Sequence, residues 1–208
     1  MNLVGLNVAD FIDKLGSDAP APGGGSASAL AGAVGISLTR MVAALTLGKE
    51  KYRDQDQLML EIMQKAEKLQ RELLFSIDRD TEAFNGVTRV FSMPKETDQE
   101  KELRKVAMLL ALRVATIVPF RMMGFALEAL ELTKKAVGKS NTNAASDLGV
   151  ASLTLKAAVQ GAWLNVLINL GGIKDQDFVN EYQGKGNEIL EKALPMADDI
   201  YQDILGSL

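Results

Sequence analysis

Apolar residues recur every three or four positions along most of the chain, and this spacing predicts long amphipathic helices. Two series stand out, and each predicts one helix face turned towards a partner helix in the core. The first series is Leu58, Ile62, Ala66, Leu69, Leu73, Ile77, Phe84, Val87 and Phe91. The second is Leu103, Val106, Leu110, Val114 and Ile117.

Helix-breaking residues and capping patterns divide the chain into helices. Ser26 is a predicted N-cap after the glycine run, Thr97-x-x-Glu100 is a capping box, and Pro119 and Pro195 are expected to bend their helices. The predicted helices cover residues 8–15, 26–47, 54–93, 97 onward, 146–170 and 175–205. The sequence therefore predicts an all-α fold, a bundle of long helices kinked at prolines, in one domain spanning residues 1–208.

Composition narrows the classes of function. The chain is 47% hydrophobic and carries a net charge of −4, so nothing drives it electrostatically towards nucleic acid or an anionic membrane. Two segments, residues 27–47 and 148–170, are apolar enough to raise the question of a membrane span. Each contains a cation, Arg40 or Lys156, which is costly inside a bilayer, so both are predicted to be buried core helices. With no signal-peptide pattern at the N-terminus, we expect a cytoplasmic protein.

The chain contains no cysteine and no histidine. A thiolate nucleophile, a zinc finger and an iron–sulfur cluster are therefore excluded, and the commonest general base is missing. Any acid–base chemistry must use aspartate, glutamate, lysine or tyrosine, and we expect no metal site.

Asp80 interrupts the first apolar series between Ile77 and Phe84. A carboxyl group turned inward without a full set of partners has a raised pKa and is suited to acid–base catalysis. The alternatives are an aspartate paired with a core arginine, or a series that has rotated to the surface. Asp78 and Glu82 lie off the series and are expected to be solvated.

A glycine run, Gly23, Gly24 and Gly25, precedes Ser26 at a predicted helix start. Free backbone N–H groups there favour an anion or a carbonyl oxygen, and glycine lets the backbone approach a flat ligand. No Gly-Lys-Ser/Thr follows and no strand precedes, so this is neither a phosphate loop nor a dinucleotide fingerprint. The alternative interpretation is a tight turn.

Two further residue patterns have both a structural and a functional interpretation. Small and polar residues form one face of the helix at 146–170, which either packs closely against another helix or lines a polar cavity. They are Asp147, Ala151, Thr154, Ala158, Gly161, Asn165 and Asn169. A basic cluster, Lys49, Lys51 and Arg53, is either a solvated helix end or a binding site for the carboxylates of an anionic substrate.

Taken together, several segments resemble the formimidoyltetrahydrofolate cyclodeaminase and methenyltetrahydrofolate cyclohydrolase family. The resemblance spans nearly the whole chain in the same order. The segments are APGGGSASALAGAVG (21–35), LGKEKY (47–52), IDRDTEAF (77–84), Val118-Pro119, and SNTNAASDLGVAS running into GAWLNVLINL (140–170). One departure is Leu148, where many relatives have alanine.

The resemblance implies a helical enzyme, a homodimer or larger, that binds a folate substrate and needs no cofactor. It implies Asp80 as the catalytic residue. The implied substrate-binding residues are Gly23, Gly24, Gly25, Ser26, Asn141 and Asp147, with Lys49 a candidate for the glutamate tail. The implied reaction is cyclodeamination of 5-formimidoyltetrahydrofolate or hydrolysis of 5,10-methenyltetrahydrofolate. The alternative is a non-catalytic helical folate-binding or scaffold protein.

Overall fold

The computed structural model describes residues 2–208, and this part of the chain contains helices and no strand. The all-α prediction is confirmed. The helices are α1 (Val8–Leu15), α2 (Gly24–Thr46), α3 (Asp56–Phe91), α4 (Asp98–Ala136), α5 (Ala145–Leu170) and α6 (Gln176–Ser207), with short 3-10 helices at Leu3–Gly5, Glu50–Gln55 and Thr142–Ala144.

Four helices form the central bundle, arranged as two layers. α2 packs beside α5 in one layer, α3 packs beside α4 in the other, and α6 covers α5 and α4 from the side. Neighbouring helices in the bundle run antiparallel. The start of α2 therefore lies near Asp80 of α3, Ala115 of α4 and Asn169 of α5, and we call this the Gly24 end. The opposite end, where Thr46 finishes α2, is the Thr46 end.

Small residues bring α2 close to both of its neighbours. A Cβ atom added at Gly32 would lie 3.0 Å from a Leu73 methyl on α3 and 3.4 Å from Ala158 on α5. One added at Gly35 would lie 2.7 Å from both Leu155 and Thr154. The close helix approach predicted from these small residues therefore occurs within the fold.

The prediction of two buried apolar series is wrong for the part of α3 and α4 beyond the Gly24 end. α3 continues past Asp80 to Phe91, about 16 Å further along its axis. Because α2 begins only at Gly24, it does not extend beside this segment, and Phe84 and Phe91 are 41% and 63% exposed. The facing part of α4 is exposed as well, at Leu103, Val106, Leu110 and Val114.

The two apolar segments predicted to be core helices are buried on one side only. α2 and α5 present a common outer surface, which we call the outer α2–α5 face. Its large apolar residues are between 38% and 76% exposed: Val34, Met41, Leu45, Val150, Leu153, Leu164 and Ile168. By length and composition, three helical segments could cross a membrane: Gly24–Thr46, Asp98–Ala136 and Thr142–Leu170.

The predicted helix ends are partly confirmed. The capping box of Thr97 and Glu100 is present, with Glu100 N donating to Thr97 Oγ1 at 3.2 Å. Asp78, expected to be solvated, instead accepts the backbone N–H of Leu3 at 2.6 Å and anchors the N-terminal segment on α3. Pro119 and Pro195 lie inside the continuous helices α4 and α6, and the kinks predicted there stay a prediction.

The contact between α5 and α6 depends on a glycine. A Cβ atom at Gly186 would lie 2.1 Å from the Trp163 ring, whereas one at Gly184, on the same helix, would meet nothing within 4 Å. We expect Gly186→Ala to lower the free energy of unfolding by about 1–3 kcal/mol through overpacking. Gly184→Ala should raise it by about 0.5–1 kcal/mol through helix propensity. Urea unfolding at one protein concentration measures both, and equal effects would contradict the packing argument.

Candidate active site

A cleft of about 350 Å³ opens at the Gly24 end. Its floor is the α3 segment that continues past α2, and its walls are the glycine run and the last turns of α5. The lining residues are Pro20, Ala21, Gly23, Gly24, Gly25, Asp80, Ala83, Phe84, Val87, Ala115, Asn165, Ile168 and Asn169. Asp80 is the one ionisable residue among them, so it sets the charge of the cleft.

Ser26 holds the Asp80 carboxylate in place. Its Oγ lies 3.1 Å from Asp80 Oδ2 and 2.9 Å from the carbonyl oxygen of Ile77. Burial raises the pKa of Asp80, and the Ser26 hydroxyl and backbone N–H oppose the rise because they stabilise the anion. The carboxylate is therefore fixed in position and binds its proton more tightly than an exposed aspartate.

The structure corrects the predicted role of Ser26. α2 begins two residues earlier, at Gly24, and Ser26 is fully buried in its first turn instead of being the N-cap. The N-cap residue is Gly23, which has no side chain to satisfy the free N–H groups of the turn. The Asp80 carboxylate on the neighbouring helix lies beside this turn, where the N–H groups and the helix dipole favour a negative charge.

Gly25 allows this contact to form. A Cβ atom at position 25 would lie 2.0 Å from Asp80 Oδ1 and 2.4 Å from Cγ, closer than any side chain can approach. Two of the predicted features, the glycine run and the interrupting aspartate, are therefore parts of one contact between α2 and α3.

Asn165 and Asn169 line the opposite wall. Asn165 Nδ2 donates to the Gly161 carbonyl at 2.8 Å, and Asn169 Nδ2 donates to the carbonyls of Ala115 and Asn165 at 2.8 Å each. These bonds use the amide N–H groups and leave the amide oxygens to accept from a ligand. The sequence showed both asparagines on a polar face without deciding between packing and a cavity.

The polar face of α5 packs against a helix along its middle and lines a cavity at its C-terminal end, so both interpretations are correct for different segments. Its middle residues pack against α2, since Ala158 meets Gly32 and a Cβ atom at Gly161 would lie 2.3 Å from Ser28 Oγ. Its last two residues, Asn165 and Asn169, reach past the start of α2 and line the cleft. The point where α2 begins therefore decides which residues pack and which face a ligand.

Three of the predicted substrate-binding residues lie elsewhere. Lys49, Asn141 and Asp147 are at the Thr46 end, and the 23 residues of α2 separate the two ends by about 33 Å. Asn141 is mostly structural there, since its backbone N–H donates to Thr46 Oγ1 at 2.8 Å and its side chain donates to the Leu45 carbonyl. Asp147 lies in the first turn of α5 and makes no capping hydrogen bond.

Tyr52 joins this second group and was not predicted from the sequence. Its hydroxyl oxygen accepts the backbone N–H of Thr142 at 3.1 Å and lies 3.2 Å from Thr142 Oγ1. These bonds, together with Lys51, lower the pKa of Tyr52 to about 8. Lys49 is exposed beside this group. In residues 2–208 no cluster of three or more aspartates and glutamates could hold a metal ion.

The raised pKa of Asp80 predicts a pH-dependent stability. As pH rises from the ordinary aspartate range to the raised value, the unfolded chain has released its proton while the folded chain keeps it. The free energy of unfolding of the wild type therefore falls through this window and is constant above it. Asparagine does not titrate, so Asp80→Asn should gain in melting temperature relative to wild type as pH rises from the ordinary aspartate range to the raised pKa of Asp80. A pH-independent difference would contradict the burial of this carboxyl group.

Comparisons with known proteins agree with this architecture. Residues 7–188 match the family model described as formiminotransferase-cyclodeaminase. The methenyltetrahydrofolate cyclohydrolase of Methylorubrum extorquens is 37% identical over 197 residues, 95% of each chain. The formimidoyltransferase-cyclodeaminase of Dictyostelium discoideum is 37% identical over 92% of this chain, which spans 35% of that longer protein.

A solved structure resembles the whole chain. The formiminotetrahydrofolate cyclodeaminase of Thermotoga maritima superposes with a TM-score of 0.81 and 28% identity, over 98% of this chain and 96% of that one. The likeness thus extends to sequence, length and fold together. The chain belongs to the formiminotransferase-cyclodeaminase family.

Proposed function

We propose that the protein is a folate one-carbon enzyme that hydrolyses 5,10-methenyltetrahydrofolate to 10-formyltetrahydrofolate. The observation that carries the proposal is Asp80, a partly buried carboxylate fixed by Ser26 in a cleft of a chain without histidine or cysteine. The similarity to the Methylorubrum cyclohydrolase over 95% of both chains supports hydrolysis as the first candidate. A non-catalytic scaffold is not favoured, because the named relatives are enzymes.

The cleft suits a flat, hydrogen-bonding ring. Phe84 and Ile168 supply apolar surface, the glycine run lets backbone come close, and the free amide oxygens of Asn165 and Asn169 can accept N–H groups. The pterin ring of a folate has this combination of flat faces and N–H donors along its edge. Of the proposed binding residues, Gly23, Gly24 and Gly25 line this cleft, and Ser26 is buried and bonded to Asp80.

In the hydrolysis, a water molecule attacks the methenyl carbon that bridges N5 and N10. Asp80 accepts a proton from that water as the C–O bond forms, which is general base catalysis. The resulting tetrahedral carbon carries a hydroxyl group and then loses its bond to N5, which takes the proton held by Asp80. The hydroxyl group releases its own proton to the solvent as it becomes the formyl C=O. The formyl group remains on N10, and the carboxylate returns to its starting state. Neither a metal ion nor an organic cofactor is required for these steps.

Cyclodeamination is the second candidate, supported by the likeness to the Thermotoga cyclodeaminase. There N10 of 5-formimidoyltetrahydrofolate attacks the formimidoyl carbon and the ring closes. Asp80 would take the N10 proton and return it to the departing amine, which leaves as ammonia. Both reactions act on the same carbon, so one carboxylate beside that carbon serves either of them.

The remaining proposals concern partners and location. We expect a cytoplasmic homodimer that binds neither nucleic acid nor a membrane. The exposed outer α2–α5 face supports the dimer, because contiguous apolar surface larger than a few hundred Å² is uncommon on a monomer. Lys49, Asn141 and Asp147 stay proposed folate contacts, although they are remote from the cleft of their own chain.

The activity is tested by following the absorbance of 5,10-methenyltetrahydrofolate with purified protein. An accelerated fall in absorbance identifies a cyclohydrolase, and a rise from 5-formimidoyltetrahydrofolate identifies a cyclodeaminase. Asp80→Asn should lower kcat by about 100- to 10,000-fold, because a general base is lost, while circular dichroism stays unchanged. No reaction with either folate would contradict the proposal, and full activity in Asp80→Asn would contradict the role of Asp80.

Gly25→Ala tests whether the position of the carboxylate matters. The new methyl group must push Asp80 away from Ser26, and a displacement of this size should lower kcat/KM by about 100-fold. Gly124→Ala is the matched control, because a Cβ atom there meets nothing within 4 Å in the middle of α4. Equal activity in the two variants would show that the contact between α2 and Asp80 is not needed for turnover.

A further inference from the structure

The proposed hydrolysis releases one proton in every turnover. The attacking water brings two protons to the methenyl carbon, of which one ends on N5 and the other leaves as the hydroxyl group becomes the formyl C=O. Asp80 is the one ionisable residue that lines the cleft, so it is the group there that can take this second proton. A folate bound in the cleft would cover the carboxylate from that side, and the proton then needs another route to solvent.

Asp80 is bonded to a pair of hydroxyl groups that leads away from the cleft. Ser26 Oγ lies 3.1 Å from Asp80 Oδ2, and Thr81 Oγ1 lies 3.2 Å from Ser26 Oγ. Ser26 is fully buried, whereas Thr81 is partly exposed. The two hydroxyl groups therefore connect the carboxylate, through one buried atom, to a side chain at the surface.

This connection ends in a second depression, on another face of α3, which we call the α3 groove. The groove has a volume of about 960 Å³ and is lined almost entirely by polar side chains, among them Thr81, Asn85 and Thr88. It shares no lining residue with the cleft. A substrate that fills the cleft therefore leaves the α3 groove open to water.

The Ser26 hydroxyl group has partners for both protonation states of Asp80. It carries one proton and two lone pairs, and its neighbours are Asp80 Oδ2, Thr81 Oγ1 and the Ile77 carbonyl oxygen at 2.9 Å. When Asp80 is ionised, Ser26 can donate to the carboxylate. When Asp80 is protonated, the carboxyl group can donate to Ser26, whose own proton then turns to Ile77 or Thr81. The hydroxyl group stays hydrogen-bonded while the proton on Asp80 comes and goes.

We propose that Ser26 and Thr81 form a proton path that carries the released proton from Asp80 to water in the α3 groove. The inference rests on the proposed folate hydrolysis. As the carboxyl group passes its proton to Ser26 Oγ, the Ser26 proton moves to Thr81 Oγ1 and the Thr81 proton moves to a water molecule. One O–H bond breaks and one forms at each hydroxyl group, so both residues end neutral and the solvent gains one proton. Thr81 acts through Ser26 and Asp80, and we assign it a positioning role.

Thr81→Val tests the path without removing the base. The substitution replaces the hydroxyl with a methyl group, and Ser26 keeps Asp80 and Ile77 as partners. KM should stay unchanged, because Thr81 does not line the cleft. We expect kcat to fall by about 10-fold, less than the loss on removing the base itself. The solvent deuterium isotope effect on kcat should rise, since exit of the proton becomes slow.

Thr81→Ser is the conservative variant, and it should retain the kcat of the wild type because it keeps the hydroxyl group. If Thr81 instead has a purely structural role, Thr81→Val should lower the melting temperature and leave the isotope effect unchanged. That result would overturn the path.

Thr88→Val is the matched control. Thr88 lines the same groove seven positions further along α3, and its hydroxyl group donates to the Phe84 carbonyl at 3.1 Å. The substitution removes a hydroxyl group from the groove without touching Ser26 or Asp80, so kcat and the isotope effect should match the wild type. Equal kcat in Thr81→Val and Thr88→Val would overturn the path. A wild type that does not hydrolyse the folate is a different result, because it contradicts the proposed function itself.

Hydrogen exchange tests the path without any folate. In Asp80→Asn no carboxyl group carries protons, so the Ser26 hydroxyl proton exchanges with water through Thr81. With carbon-13 at Cβ of Ser26, in an equal mixture of light and heavy water, a slowly exchanging hydroxyl gives two carbon signals and a rapidly exchanging one gives a single signal. Asp80→Asn should show one signal, and Asp80→Asn with Thr81→Val should show two. The same pattern in both variants would overturn the connection to the groove, whatever the enzyme assay shows.

Discussion

The contact between the Asp80 carboxylate and the first turn of α2 organises the rest of the structure. The turn begins at a glycine and has no side-chain cap of its own, so its free N–H groups need an acceptor from another helix. The Asp80 carboxylate lies beside them and is bonded to Ser26 Oγ, and Gly25 leaves the space for it. The start of α2 is thereby fixed relative to α3. Its position along the α3 axis determines where the bundle ends and the cleft opens. Packing and the proposed acid–base chemistry thus depend on the same carboxylate.

The sequence was sufficient for the helices and for the inward position of Asp80, because both follow from local patterns. Apolar spacing identifies helices, and a carboxylate that breaks the spacing is visible in the same pattern. The sequence was insufficient for Ser26, since a serine after three glycines has the appearance of an N-cap whether or not it is one. Its actual hydrogen bonds join positions 26 and 80, and no local pattern contains such a pairing.

The spacing of apolar residues also could not predict which helix faces are buried. The series through Phe84 and Phe91 has the same spacing as the buried series before it, but α2 starts too late to cover it. A regular apolar series shows that a helix face prefers contact, without showing whether the partner belongs to the same chain. Likewise, Asn165 and Ala158 share one face of α5, and the start of α2 decides that Asn165 lines the cleft while Ala158 packs against α2.

The pairing of α2 with α5 also has a consequence for the order of events during synthesis. Gly32 packs against Ala158, and Gly35 against Leu155, so one of the two close neighbours of α2 lies more than a hundred positions later in the chain. Contacts this distant in sequence form slowly, and they cannot form before the ribosome has made α5. The most apolar helix of the N-terminal half therefore waits for most of translation with part of its core surface uncovered.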